Sequence, residues 1–87
     1  MKCTLVSATE QQIETEITGI FVQAVNGELG VLTGHQPLIA KLKDNSAVRL
    51  ETAAPAPKIY TVGANSFLQF AGGAAVILTQ SFALKVQ

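Results

Sequence analysis

Apolar and polar side chains alternate along this chain with the period of a β-strand, and the phase of that alternation predicts its elements. From Ala74 to Val86 the even positions read Ala, Val, Leu, Gln, Phe, Leu, Val, and the odd ones Ala, Ile, Thr, Ser, Ala, Lys. This predicts strand with the even positions as its apolar face, and no 3.6-residue stripe competes with it. Val48 and Leu50 alternate with Arg49 and Glu51 in the same way. Leu38, Ala40 and Leu42 oppose Lys41 and Lys43, in a segment short enough to suit a strand or a helix. Between Ile13 and Val25 the phase changes. Ile13 and Ile17 lie opposite Glu14, Glu16 and Thr18, whereas after Gly19 the apolar set is Ile20, Val22 and Ala24. A one-residue slip at a glycine predicts either one strand bent by a bulge or two strands that switch sheets.

Turn chemistry separates these runs. Asn26-Gly27 is a two-residue hairpin signal, because a type I′ turn needs positive φ at both positions. Asp44-Asn45-Ser46 and Gly72-Gly73 mark further turns. Ala53 to Pro57 (Ala-Ala-Pro-Ala-Pro) lacks two backbone donors and favours extended backbone, so it reads as a loop or an edge. Many short strands at this spacing predict an all-β sandwich or barrel.

Composition narrows the function classes. Eighty-seven residues suit one domain, 1–87, with a modest core. Six basic and six acidic side chains cancel, leaving no electrostatic footprint for nucleic acid or anionic lipid. Only 14% of residues are charged against 48% hydrophobic, which argues against disorder and for a domain partly covered by something else. The longest apolar stretch, Ala71 to Leu78, is far shorter than a membrane span, so direct membrane insertion is not expected. The amino terminus lacks an apolar signal core, and the expectation is a soluble, intracellular chain.

Bond-making chemistry finds few candidates. Cys3 is the one cysteine and His35 the one histidine, so a Cys-His or Ser-His pair is arithmetically possible. Cys3, however, begins an apolar-leaning strand, where a buried inert thiol is the common outcome. One His and one Cys cannot close a zinc site, and no cofactor or metal is expected. Gly30-Val-Leu-Thr-Gly34-His35 has the glycines of a phosphate loop but no lysine or helix start. The most informative segment is Asn26 to Lys43: a hairpin turn, a short strand Leu29–Leu32, a Gly-His-Gln-Pro loop and a further strand. Glu28 and His35 flank that short strand and are expected to project from one end of the fold. They are either a solvated rim charge and a loop imidazole, or a polar contact surface for another subunit.

Gly27-Glu28-Leu29-Gly30-Val31-Leu32-Thr33-Gly34-His35-Gln36-Pro37-Leu38 closely resembles the signature of the epsilon subunit of F-type ATP synthases. Leu5-Val-Ser-Ala-Thr-Glu-Gln-Gln-Ile13 is similar to that family's opening strand and turn. Val62-Gly-Ala-Asn-Ser-Phe-Leu-Gln-Phe70, followed by Ala75-Val-Ile-Leu-Thr79, is similar to its later strands. Thr33 stands where the family usually has proline, Ala64 replaces a glycine, and Asp44-Asn45-Ser46 replaces a Pro-Gly turn.

The resemblance implies a β-sandwich of about ten strands and a non-catalytic role in a rotary complex. It implies binding to the gamma subunit in the central stalk and to the c-ring, passing proton-driven rotation to catalytic sites in other subunits. By motif position, Glu28, Gly34, His35 and Gln36 resemble the c-ring contact, and Ser7 resembles a gamma-facing position. It also implies a peripheral place on the cytoplasmic face of a bacterial inner membrane. The family's β-domain is followed by a helical hairpin that inhibits ATP hydrolysis. This sequence stops at Gln87, so the expectation is a hairpin-less chain without that inhibition. The competing readings are a freestanding sandwich binding a peptide or sugar, for which Tyr60, Phe67 and Phe70 are the available aromatics, and a small thiol enzyme.

Overall fold

The chain forms strands of three to six residues, and the alternating run that starts at Ala74 is broken at Thr79 to Ser81 into two of them. The computed structural model describes residues 1–85, which hold ten strands and no helix. They are β1 (Lys2–Val6), β2 (Gln11–Glu14), β3 (Gly19–Ala24), β4 (Gly27–Leu32), β5 (Leu38–Lys41), β6 (Ala47–Glu51), β7 (Lys58–Val62), β8 (Phe67–Ala71), β9 (Ala74–Leu78) and β10 (Phe82–Leu84). A first sheet has the order β2-β1-β9-β8-β5 and a second β10-β7-β6-β3-β4. All pairs are antiparallel except β1 with β9, where Lys2–Val6 run beside Ala74–Leu78. The segment Leu38–Lys41 is thereby strand, not helix. The sheets face one another as an all-β sandwich. Its core draws Leu5, Leu68, Phe70 and Ile77 from the first sheet and Ile20, Val22, Val48 and Leu50 from the second, all essentially inaccessible to water.

The phase slip in the second quarter of the chain is a change of sheet. β2 belongs to the first sheet and β3 to the second. The break lies at Glu16, a non-glycine residue at φ 58°, rather than at Gly19. Ile17 is buried just beyond it, where its N–H donates to the Met1 carbonyl and its carbonyl accepts from the Met1 ammonium, each at 2.9 Å. Because the slip occurs early, Ile13 faces outward and Glu14 inward, the reverse of the alternation's expectation. The Glu14 carboxylate is nonetheless well supplied with donors. The Tyr60 hydroxyl donates to Oε2, and Lys58 Nζ lies 3.0 Å from Oε1. Burial pushes this carboxyl up, but the Tyr60, Lys58 and Gln12 groups outweigh it and hold Glu14 below the usual carboxylate value. Since β2 and β7 lie in different sheets, the cluster clamps one to the other.

Two further expectations change. Along Ala74–Leu78 the odd residues Ala75 and Ile77 enter the core, and Val76 and Leu78 turn outward. Both faces of this strand are apolar, so alternation alone does not choose between them. Thr79 is buried as well, because its hydroxyl joins that of Ser66 at 2.7 Å and donates to the Ser81 carbonyl at 2.9 Å. The pattern's last member, Val86, lies outside the described residues. The β3–β4 hairpin forms, but its turn residues are Val25 and Asn26, and only Gly27 has positive φ (125°). The turn with positive φ at both central residues is Gly72-Gly73 (59° and 75°), between β8 and β9. Asn45 at φ 54° makes the expected turn, and Ala53 to Pro57 is the expected loop.

Candidate functional site along the free edge of the sandwich

β4 ends the second sheet and β5 ends the first, and residues 33–37 join them. One side of the sandwich is therefore a continuous run of chain, from Gly27 to Lys41, with a strand edge on each sheet that is free until Lys41, whose carbonyl accepts from the Val25 N–H at 3.0 Å. Leu32, Thr33, Gly34 and His35 close a turn, in which the His35 N–H donates to the Leu32 carbonyl at 3.0 Å. Gly34 takes φ 88° at the third position, where a type II turn requires glycine. A Cβ on Gly34 would meet no atom within 4 Å. Its substitution is thus a backbone experiment: Gly34→Ala is expected to cost about 1–2 kcal/mol through left-handed strain alone. Urea denaturation checks this, and an unchanged midpoint would contradict it.

The loop presents Gly34, His35 and Gln36 to solvent. The His35 imidazole is held by two contacts. Its Nδ1 lies 2.7 Å from the Gln36 carbonyl, and the ring stands edge-on to Phe70 at 6.2 Å and 87°. A carbonyl only accepts, so Nδ1 carries the proton and Nε2 of the neutral ring is the free acceptor. Glu28 is exposed near the start of β4, where its Oε1 accepts from Gln23 Nε2 at 3.2 Å. Leu32 lies four steps along the strand from Glu28, roughly 13 Å at ~3.3 Å per step. Glu28 and His35 therefore do not project from one end; they share one edge. The strand begins at Gly27 rather than Leu29, which places Glu28 within it.

Ser7 lies at the other end of the molecule from His35, in the turn between β1 and β2, where its Oγ accepts from the Glu10 N–H at 3.1 Å. The edge also carries apolar residues that the alternation left out: Leu32 and Ile39, 56% and 74% exposed. The available signal was Ile39 itself, an isoleucine on the polar side of the Leu38–Ala40–Leu42 pattern.

On the outward face of the second sheet, the Phe21 ring lies flat across Gly19 and Gly30. A Cβ on either glycine would approach the ring to 2.9 Å. The Arg49 guanidinium stacks 4.7 Å above the ring and pairs with Glu51 at 3.1 Å. A shallow cavity of about 450 Å³ opens beside them, lined by Gln23, Glu28 and Ile59 among others. The aromatics needed for a sugar- or peptide-binding cleft do not gather there, because Tyr60 and Phe70 are core residues and Phe67 faces out from the first sheet. Cys3 is fully buried, and burial, then the Glu14 charge, push its thiol up to about 12. A protonated, inaccessible thiol does not serve as a nucleophile. Among the described residues no three His, Cys, Asp or Glu side chains converge as metal ligands, and no helix is long and apolar enough to cross a membrane.

Comparison with known proteins gives this geometry its context. Residues 1–85 match the family described as ATP synthase, Delta/Epsilon chain, beta-sandwich domain. The ATP synthase epsilon chain of Psychrobacter arcticus is 40% identical over 53 residues, covering 61% of this chain and 38% of that protein. The ATP synthase epsilon chain of a Mycobacterium species (strain KMS) is 30% identical over 79 residues, 90% of this chain and 64% of that one. The chain thus spans between about a third and two thirds of these curated relatives. Among solved structures, a chain of the Euglena gracilis mitochondrial ATP synthase, determined with its c-ring, superposes with a TM-score of 0.82 at 23% identity. That match covers 94% of this chain and 51% of the other. A chain from the central stalk and c-ring of the Tetrahymena thermophila enzyme gives 0.77 at 8% identity, covering 94% of this chain and 64% of that one, which shows the shared fold. A family match over residues 1–85, on a ten-stranded sandwich with the Gly27–Leu38 motif along its free edge, establishes that this chain belongs to the ATP synthase delta/epsilon-chain β-sandwich family.

Proposed function

We propose that this sandwich is a non-catalytic rotor element of an F-type ATP synthase, bound to the gamma subunit and seated on the c-ring. In this role it transmits ion-driven rotation and sits peripherally on the cytoplasmic face of the membrane. The observation that supports the reading most strongly is the family match, together with the placement of the motif residues on one exposed edge. Glu28, Gly34, His35 and Gln36 form the c-ring contact along that edge. An exposed carboxylate and an imidazole with a free acceptor nitrogen suit the polar or basic loops of a partner, because neither must be buried unpaired. Ser7, at the opposite end, faces gamma. Rotation needs the domain held at two separate places, and the distance between Ser7 and the His35 loop provides them.

The experiment is a double charge reversal, Glu28→Arg with His35→Glu, in the assembled enzyme. Both side chains are exposed, so the fold is expected to keep its stability within about 0.5 kcal/mol. The expected result is weaker attachment of the rotor to the c-ring, read as loss of ATP-driven proton pumping while hydrolysis continues. Full pumping in the double variant would refute the assigned edge.

A further inference from the structure

The chain has three asparagines, Asn26, Asn45 and Asn65, and Asn26 alone precedes a glycine. The β3–β4 ladder ends at the pair Ala24–Gly27, so Val25 and Asn26 protrude beyond it as an exposed turn. The other two asparagines are built into the fold. Each holds left-handed backbone, at φ 54° and 56°, and each is followed by a serine. The Asn45 N–H donates to the Gly63 carbonyl at 3.3 Å, and the Asn65 N–H to Asp44 Oδ1 at 3.2 Å. Ser66, which follows Asn65, is fully buried.

An asparagine carboxamide can close a five-membered ring with the backbone nitrogen that follows it. Here the Gly27 nitrogen would attack Asn26 Cγ. An N–Cγ bond forms, the Cγ–Nδ2 bond breaks, and Nδ2 leaves as ammonia with the proton of the attacking nitrogen. Water then opens the succinimide at either carbonyl and leaves aspartate or isoaspartate, with no oxidant or further reactant. A side chain on the second residue crowds this closure, and Gly27 has none. A Cβ built on Gly27 would meet no atom within 4 Å, so the rest of the fold does not crowd it either. The Gly27 nitrogen belongs to the last pair of the ladder, and fraying of that one pair releases it.

We propose that Asn26 is a site of spontaneous deamidation in the folded chain, and that its products disturb the edge that carries Glu28. Aspartate sets a second carboxylate two residues from Glu28. Isoaspartate runs the main chain through Cβ and Cγ, which makes a two-residue turn one atom longer. The adjacent pair, Gln23–Glu28, then loses the register that holds Gln23 Nε2 3.2 Å from Glu28 Oε1. Resting on the rotor reading, this edge is the c-ring contact, so an aged chain couples rotation less well than a new one.

The test ages the full chain at physiological pH and temperature, beside a guanidinium-unfolded sample that sets the intrinsic rate. Peptide mass spectrometry counts amide-to-acid conversion at each asparagine, and an isoaspartate-specific carboxyl methyltransferase labels the isomerised product. In the folded chain Asn26 is expected to convert roughly tenfold or more faster than Asn45 and Asn65, a barrier difference of about 1.4 kcal/mol. A folded chain that keeps its Asn26 amide while the unfolded sample converts overturns the site, and so do equal rates at the three positions. Aged unmodified chain is then compared with equally aged Asn26→Ser in the reassembled enzyme. The unmodified chain is expected to lose ATP-driven proton pumping in proportion to its isoaspartate content, and Asn26→Ser to keep it. Equal pumping by the two, with conversion complete, overturns the effect on the edge. An enzyme whose pumping does not depend on adding the chain overturns the rotor reading, and leaves the conversion at Asn26 to stand on the mass spectra.

Discussion

Replacing Phe70 by alanine is expected to cost about 3–5 kcal/mol, the usual range for removing a fully buried aromatic ring. At roughly 0.05–0.15 kcal/mol per residue, a domain of this length has about 4–13 kcal/mol in total, so one ring carries a large share. The position explains the size of the effect. β8 lies between β5 and β9, and Phe70 pairs with Leu38 on one side and the small Ala75 on the other, which leaves room for the ring. Alanine would leave a void that the flanking strands cannot close without giving up their ladders. The melting temperature is expected to fall by roughly 12–40 °C, at about 4–8 °C per kcal/mol for a domain of this size. The Phe70 ring edge also supports His35. Phe70→Leu, which keeps most of the volume, is expected to cost no more than about 1.5 kcal/mol, yet to weaken partner binding at the His35 loop. Thermal melts and binding measured on the same two variants separate these effects. A Phe70→Ala chain that melts within about 5 °C of the unmodified one, under 1.5 kcal/mol on that scale, would contradict the packing argument.

Tyr60→Phe is the second large effect, and it carries a pH signature. Removing the hydroxyl leaves a buried carboxylate with Lys58 and Gln12 as its donors. Hydrogen bonds to charged groups contribute about 1.5–3 kcal/mol, and that is the expected loss at neutral pH. The sign of the pH dependence follows from the direction of the Glu14 shift. Its carboxyl is held below the ordinary value of 4.5 in the folded chain, so its contribution is full above that pH. It is lost as pH falls below 4.5 through the lower folded value. Glu14→Gln removes this titration, so its stability profile between pH 5 and 3 is expected to be flatter than that of the unmodified chain, by comparison of urea midpoints. In Tyr60→Phe the Glu14 carboxyl rises, because desolvation is less fully offset, and acid destabilisation is expected to begin at higher pH. Profiles of the same shape for Tyr60→Phe, Glu14→Gln and the unmodified chain would show that the cluster does not clamp the sheets.

Much of the architecture was legible from residues because most of the strands, β2 and β7 excepted, have at least one consistently apolar face. Val48 and Leu50 are buried and Arg49 and Glu51 are not, as alternation requires. The misreadings came from places where the pattern is degenerate or where tertiary partners override it. Ala74–Leu78 is apolar on both faces, so its inward set is chosen by its neighbours β1 and β8. Glu14 enters the interior because Tyr60 and Lys58, more than forty residues away in sequence, provide its donors. Nothing local in Gln11–Glu14 announces them. The parallel pairing of β1 with β9 joins strands some seventy residues apart in sequence and has no local signal either. At the candidate site, the sequence reading misplaced the geometry of two residues. Glu28 and His35 flank what looked like one short strand, but extending β4 to Gly27 spreads them along an edge.

The rotor assignment is tested most directly by a photo-crosslinking side chain at position 35 in membranes that carry the assembled enzyme. His35 is exposed on the free-edge loop, so the substitution leaves the core intact. The account predicts a covalent product between this chain and a c subunit, and arrest of ATP-driven proton pumping in proportion to its yield. A chain that remains in the complex but crosslinks from position 35 only to the stationary catalytic subunits would contradict it.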